Sequence, residues 1–153
     1  FGFKIIEKKY FKNDNNIFYS TIKKTPKIKM KLNKNYYKKN LKIFKNFIDY
    51  YSRDIMKINK IIKKSDNKIF VFGAHIFSQY LFSNGLVEGK IDSILDNDKS
   101  KQGERLYGTN LMVNSPKILK NYIKPIIILR AGVYNNEIKK DIINNINSKA
   151  QFI

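Results

Sequence analysis

The chain has 153 residues, of which 42% are hydrophobic, so it can bury the core of one domain or of one domain with an appendage. It has no cysteine and a single histidine, His75, which excludes disulfides and thiolate zinc sites and argues against a histidine-based metal centre. Its apolar runs are short, and its start does not resemble a signal peptide. These features predict a cytoplasmic protein without a membrane partner.

The formal net charge of +19 is unevenly distributed. Residues 1–64 hold 19 lysines and arginines against 4 acidic residues, whereas residues 65–153 hold 12 against 8. A basic half can bind nucleic acid or another anionic surface. Arginine, which nucleic-acid readers favour, occurs only three times, and the abundant Lys, Asn and Ile are typical of an A/T-rich genome. The charge therefore does not favour a nucleic-acid partner.

Residues 1–24 contain two β-prone runs around an Asn-Asp-Asn-Asn turn at 13–16, which predicts a hairpin. An isolated hairpin is marginal in water. The hairpin is therefore expected either to be the edge of a sheet whose other strands are absent or to pack on the rest of the chain. The start at Phe1-Gly2-Phe3, without methionine, suggests a piece cut from a longer protein.

A long helix is predicted over residues 36–64. Its apolar residues recur at alternating steps of three and four: Leu41, Phe44, Ile48, Tyr51, Ile55, Ile58 and Ile62. Such a stripe either packs along the neighbouring domain or forms a helix–helix contact between domains or between two copies of the chain.

Residues 67–153 alternate between apolar strand-like runs and helical patterns. The predicted strands are 69–72, 91–95, 111–113, 126–129 and 151–153, and the predicted helices are 76–84, one opening at Ser115-Pro116, and 134–147 with Ile138, Ile142, Ile143 and Ile146 inward. Apolar strands alternating with helices predict an α/β, Rossmann-like, doubly wound parallel sheet. Ligands of such sheets bind at the carboxyl ends of the strands.

The first loop at that edge is Gly73-Ala74-His75, after the first strand. Gly73 suits a tight turn that aims helix amides at an anion. The next positions of the dinucleotide pattern G-x-G-x-x-G hold His75 and Ser78, which weakens ordinary dinucleotide binding. His75 is either a partly buried imidazole bonded to backbone or a donor to a phosphate or sugar hydroxyl.

The second loop carries Asp96, Asn97 and Asp98 about 20 residues after the glycine turn. A carboxylate at this position can accept hydrogen bonds from two ribose hydroxyls, which favours a ligand role for Asp96. Asp98 is better suited to stabilising a turn. A divalent ion between Asp92, Asp96 and Asp98 is not favoured, because alternate strand residues point to opposite faces.

The third loop carries Arg130, Gly132, Tyr134 and Asn135 after the fourth strand. The planar guanidinium of Arg130 suits a phosphate or carboxylate, or alternatively an ion pair to Asp96 or Glu137.

Four stretches together carry a family resemblance: "IFVFGAHIFSQYLF", "IDSILDNDKSKQGERLYGTNLMV", "SPKIL" and "PIIILRAGVYNNEIKKDI". They resemble the C-terminal domain of S-adenosylmethionine-dependent sugar C-methyltransferases, which act on nucleotide-linked deoxysugars. The matching features are the Gly73 turn, the D-x-N/D-P-x-K-Q-G stretch at 96–103, Gly108-Thr109 and the stretch Asn-Asn-Glu-Ile at 135–138, which compares with the family's N-x-x-E-I helix. Lys99 stands where the family often has proline, and similar openings occur in nucleotide-sugar acyltransferases and other Rossmann-like domains.

The resemblance implies a division into the end of a methyltransferase domain (1–32), a connecting helix (33–66) and a Rossmann-like domain (67–153). It implies a nucleotide-linked sugar and the chain's own methyltransferase domain as partners, in glycan or polysaccharide synthesis. S-adenosylmethionine, and zinc, would belong to the full-length protein, while this segment holds neither a cofactor, a metal nor a catalytic residue. Two alternatives remain: a non-catalytic Rossmann-like interaction module whose 36–64 helix holds a partner or a second copy of the chain, or the binding domain of another nucleotide-sugar-modifying enzyme.

The implied substrate site lies at the sheet edge. Gly73, Ala74 and His75 would face phosphate, Asp96 with Asn97 would face a ribose or sugar hydroxyl, and Arg130, Tyr134 and Asn135 would close the site.

Overall fold

The computed structural model describes residues 3–10, 17–23 and 34–153, and the chain divides into two units, 1–43 and 44–153. The first unit contains an antiparallel hairpin of β1 (Phe3–Tyr10) and β2 (Ile17–Lys23), with an irregularity between Ile5 and Glu7. The predicted hairpin is therefore confirmed, although its turn lies outside the described residues. Its apolar residues Ile5, Ile6 and Ile22 are exposed.

The predicted long helix is α1 (Lys34–Lys63). Its apolar stripe is buried towards the C-terminal end, where Ile55, Ile58 and Ile62 are at most 2% exposed. Nearer its start, Phe44 is 60% exposed. The division between the two units accordingly falls inside the helix, since the last turns of α1 belong to the core of the second unit.

Among the described residues, the second unit holds a five-stranded parallel sheet. Its strands are β3 (Ile69–Phe72), β4 (Ser93–Leu95), β5 (Val113–Asn114), β6 (Ile126–Leu129) and β7 (Gln151–Phe152). They lie in the order β5-β4-β3-β6-β7, and every neighbouring pair is parallel. This order confirms the Rossmann-like doubly wound fold, and it places the topological switch point between β3 and β6.

Both faces of the sheet are covered. On one face, α1 and α2 (Ile76–Ser83) pack their apolar residues against Val71, Ile94 and Ile128. On the other face, Leu119 and Ile142 pack with Phe70 and Ile127. Residues that alternate along β3 and β6 therefore enter opposite cores, which explains why these strands are apolar throughout.

The remaining helical segments are short. They are three 3-10 helices, Glu88–Lys90, Pro116–Asn121 and Gly132–Tyr134, and α3 (Asn135–Asp141), which continues into a π-helix at Ile142–Ile146. The prediction that Ile143 points inward is wrong, since its side chain is 40% exposed. A π-helix adds residues to each turn, so the 3.6-residue period that predicted Ile143 fails there.

Candidate functional site

The glycine turn after β3 is closed by hydrogen bonds within the protein. Gly73 has φ +101° and donates its N–H to the Leu95 carbonyl at 2.7 Å. Ser78, at the third glycine position of the dinucleotide pattern, is buried and donates its hydroxyl to the Gly73 carbonyl at 2.5 Å. Ser78 therefore holds α2 close to β3 through a hydrogen bond, in place of the close contact that glycine allows.

His75 caps α2 and lies over the glycine turn. Its Nδ1 accepts the Phe77 N–H at 3.2 Å, and a Cβ at Gly73 would overlap its imidazole. Burial lowers the pKa of His75, and Lys101 adds to this effect, although the nearby Asp96 opposes it. The ring is therefore neutral at pH 7, and of the two predicted roles the geometry shows the partly buried imidazole bonded to backbone.

Asp96 joins the glycine turn to the loop after β4. Its carboxylate is buried, and it accepts the Ala74 N–H at 2.7 Å and the Asp98 N–H at 2.9 Å. Lys101 Nζ lies 3.3 Å from Oδ2, and Gln102 donates to the Asp96 carbonyl. The Ala74 amide, predicted to face phosphate, is thus already bonded to a carboxylate.

The neighbouring aspartates have structural roles. Asp98 accepts the N–H and the hydroxyl of Ser100, and these bonds lower its pKa, as the predicted turn role requires. Asp92 lies at the other end of β4, where it accepts the Ile69 N–H and the Lys68 ammonium, which raises the pKa of Lys68. Among the described residues, no group of three or more His, Cys, Asp or Glu could hold a metal ion.

Arg130 is directed towards α1. Its Nε and Nη2 donate to Asp54 Oδ2 at 3.1 and 2.8 Å, and Nη1 donates to the carbonyls of Leu129 and Ile153. The predicted ion pair with Asp96 or Glu137 is therefore wrong: the partner is Asp54. The side chain of Arg130 therefore links α1 to the ends of β6 and β7.

A cavity of about 440 Å³, here called the rim cavity, lies at the carboxyl ends of β3, β4 and β6. It is lined by Phe72, Gly73, His75, Ile76, Phe77, Asp96, Asn97, Lys101, Ala131, Tyr134, Glu137 and Ile138. Five predicted site residues thus come together: Gly73, His75, Asp96, Asn97 and Tyr134. The lining formed by the described residues does not include three predicted site residues, Ala74, Arg130 and Asn135. The side chain of Asn135 instead accepts the Ala131 N–H at 2.8 Å.

Sequence reasoning missed Lys101 and Glu137 as lining residues. Lys101 belongs to the K-Q-G part of the family motif that begins at Asp96, so the motif could have indicated it as a site residue. Glu137 lies in the first turn of α3, and its entry into the cavity depends on how that helix packs.

A family model described as the C-methyltransferase C-terminal domain matches residues 22–153. The chain belongs to this family. The resemblance inferred from the sequence motifs is therefore confirmed for all of α1 and the sheet. No curated protein and no solved structure matches the chain. In the described part of this C-methyltransferase C-terminal domain, no helix combines the length and apolarity needed to cross a membrane.

The rim cavity of this C-methyltransferase C-terminal domain combines acceptors with apolar surface. Glu137 is exposed, and its carboxylate has no hydrogen bond or ion pair with the residues that the structure describes. Ile76, Phe77 and Tyr134 are 71%, 54% and 62% exposed beside it. Carboxylates accept hydrogen bonds from hydroxyl groups, and aromatic rings stack on flat or apolar groups, so the cavity suits a ligand with both features.

Proposed function

We propose that this C-methyltransferase C-terminal domain holds a nucleotide-linked sugar at the rim cavity, as the substrate-binding part of a sugar C-methyltransferase in glycan synthesis. Methyl transfer from S-adenosylmethionine would be carried out by the enzyme's methyltransferase domain. The supporting observation is the position of the cavity at the switch point between β3 and β6, where open α/β sheets bind their ligands.

In this proposal, different lining residues contact different parts of the ligand. Glu137, whose carboxylate has no partner among the described residues, accepts hydrogen bonds from sugar or ribose hydroxyls. The side-chain amide of Asn97 provides a further hydrogen-bonding group. Phe77 and Tyr134 cover the apolar side of the ligand. Asp96 fixes the shape of the cavity wall and does not contact the ligand, because its carboxylate oxygens already bond to the Ala74 and Asp98 amides and to Lys101.

Thermal shift measurements with dTDP-, UDP- and GDP-linked sugars, and with NAD, test this proposal. One nucleotide-sugar should raise the melting temperature, and Tyr134→Ala should remove most of that shift. Tyr107→Ala is the matched control, because Tyr107 is 83% exposed on a different cavity. No shift with any of these ligands, or an equal loss in both variants, would contradict nucleotide-sugar binding at the rim.

A second candidate is an interaction module that pairs through α1. Phe44, Phe47 and Tyr50 are 60%, 48% and 60% exposed on this helix. Apolar helix surface of this kind is typical of helix–helix contacts. Light scattering tests the candidate: a dimer that dissociates in Phe44→Ser/Phe47→Ser supports it, whereas a wild-type monomer contradicts pairing of two copies.

A further inference from the structure

A second cavity, of about 340 Å³, adjoins the rim cavity. It lies beyond the carboxyl ends of β4 and β5, and Asn97 lines both cavities. Three lysines, Lys99, Lys117 and Lys120, line it, and we call it the lysine cavity. The remaining polar lining includes Gln102, Ser115, Asp141 and Asn145.

The lysine cavity carries an excess of positive charge. None of the three ammonium groups lies within ion-pair distance of a carboxylate among the described residues. The single carboxylate of the lining, Asp141, accepts a hydrogen bond from Asn145 at 2.8 Å. Three lysines against one carboxylate leave an excess of positive charge around a space large enough for phosphate groups.

The rim cavity has the opposite balance of charge, with more carboxylates than ammonium groups in its lining. Its lining carries Asp96 and Glu137 against Lys101, and His75 is neutral at pH 7. The Ala74 N–H already donates to Asp96, and the imidazole of His75 covers Gly73. The glycine turn therefore has few free hydrogen-bond donors for a pyrophosphate. A diphosphate placed there would face two carboxylates.

We propose that the lysine cavity binds the phosphate groups of the ligand whose sugar occupies the rim cavity. This inference rests on the proposed function and moves its phosphate site from the glycine turn to Lys99, Lys117 and Lys120. Asn97, which lines both cavities, would contact the ligand where the sugar joins the phosphates. Lysine ammoniums bind phosphate as point charges, so binding is expected to weaken as salt rises.

Isothermal titration calorimetry of the 153-residue chain with inorganic pyrophosphate and with a nucleotide-sugar tests this assignment. Lys117→Gln/Lys120→Gln should weaken binding of both ligands by about tenfold or more, since two charge-assisted contacts are lost. The matched control is Lys124→Gln/Lys140→Gln, which removes the same charge from exposed lysines that lie outside the described lining of both cavities. The control should leave both affinities within about twofold.

Each result decides the inference. Absence of pyrophosphate binding by the wild-type chain, or equal losses in the two double variants, would overturn it. Nucleotide-sugar binding that needs Tyr134 but not Lys117 and Lys120 would overturn it while leaving the proposed function intact. Conversely, lysine-dependent pyrophosphate binding with no added affinity for nucleotide-sugars would mark failure of the proposed function, while the phosphate site itself would stand.

Discussion

The glycine turn and the lysine cavity lie at the same edge of the sheet, but they differ in how their polar groups are used. In the turn, the amides of Gly73 and Ala74 and the side chain of His75 bond to the protein itself. In the lysine cavity, three ammonium groups have no ion pair within the described residues. The polar groups of the turn are therefore used within the fold, and the proposed ligand contacts are made by groups outside its motif.

The two largest effects, similar in size, should come from Asp96→Ala and from Gly73→Ala. Asp96→Ala leaves the Ala74 and Asp98 amides and the Lys101 ammonium without their acceptor, so the free energy of unfolding should fall by about 3 kcal/mol. Urea denaturation measures this loss, and Asp98→Ala, on the exposed turn, should cost much less. An Asp96→Ala protein with wild-type stability and no ligand binding would show that Asp96 serves the ligand.

Gly73→Ala should destabilise the chain by about 3 kcal/mol, because it combines backbone strain with overlap of the His75 ring. Gly85→Ala is a matched control, since Gly85 has φ +98° but open space around it, and it should cost about 1–2 kcal/mol. The excess at Gly73 should disappear in a His75→Asn background. An excess that persists there would show that His75 does not lie over the turn.

Arg130→Gln should lower the free energy of unfolding by about 1–2 kcal/mol through loss of the partly buried pair with Asp54. Asp54→Asn should have a similar cost, and the double variant should cost less than the sum, as a double-mutant cycle would measure. Nucleotide-sugar affinity should not change. A tenfold loss of affinity in Arg130→Gln alone would instead place the guanidinium in the ligand site.

The smallest effect concerns pH. Burial lowers the pKa of His75 below its usual 6.5, so the unfolded chain binds a proton that the folded chain resists. Stability from this group is complete above pH 6.5 and falls as the pH drops from 6.5 towards the lowered pKa. His75→Asn keeps a capping side chain but cannot titrate, so its denaturation midpoint should vary less between pH 7 and pH 5.5. Identical pH profiles for the two proteins would contradict a buried neutral imidazole.

The sequence was sufficient for much of the fold because its signals are local. Unbroken apolar runs such as that of β3 predict buried parallel strands, and the stripe ending at Ile55, Ile58 and Ile62 predicts the long helix. The helix start at Ser115-Pro116 was predictable because serine before proline is a local signal, and Ser115 caps that helix by accepting the Lys117 N–H. The π-helix that exposes Ile143 carries no comparable signal.

The candidate site was less predictable because partners depend on packing between distant segments. Arg130 pairs with Asp54, which precedes it by 76 positions, and nothing local in the sequence marks that pair. Glu137 enters the rim cavity only through the packing of α3. Asp96 was found from its position after β4, but one of the amides that bond to its carboxylate, that of Ala74, comes from the distant glycine turn, while the other, that of Asp98, lies in its own loop.

A nucleotide-linked sugar is proposed to span the rim and lysine cavities. Amide chemical-shift mapping of the 153-residue chain during titration with the nucleotide-sugar that gives the largest thermal shift tests it most directly. Binding across both cavities should give saturable shifts that include Asn97, Lys117 and Tyr134 together. Shifts confined to the cavity around Tyr107 and Thr109, or none at all, would contradict it.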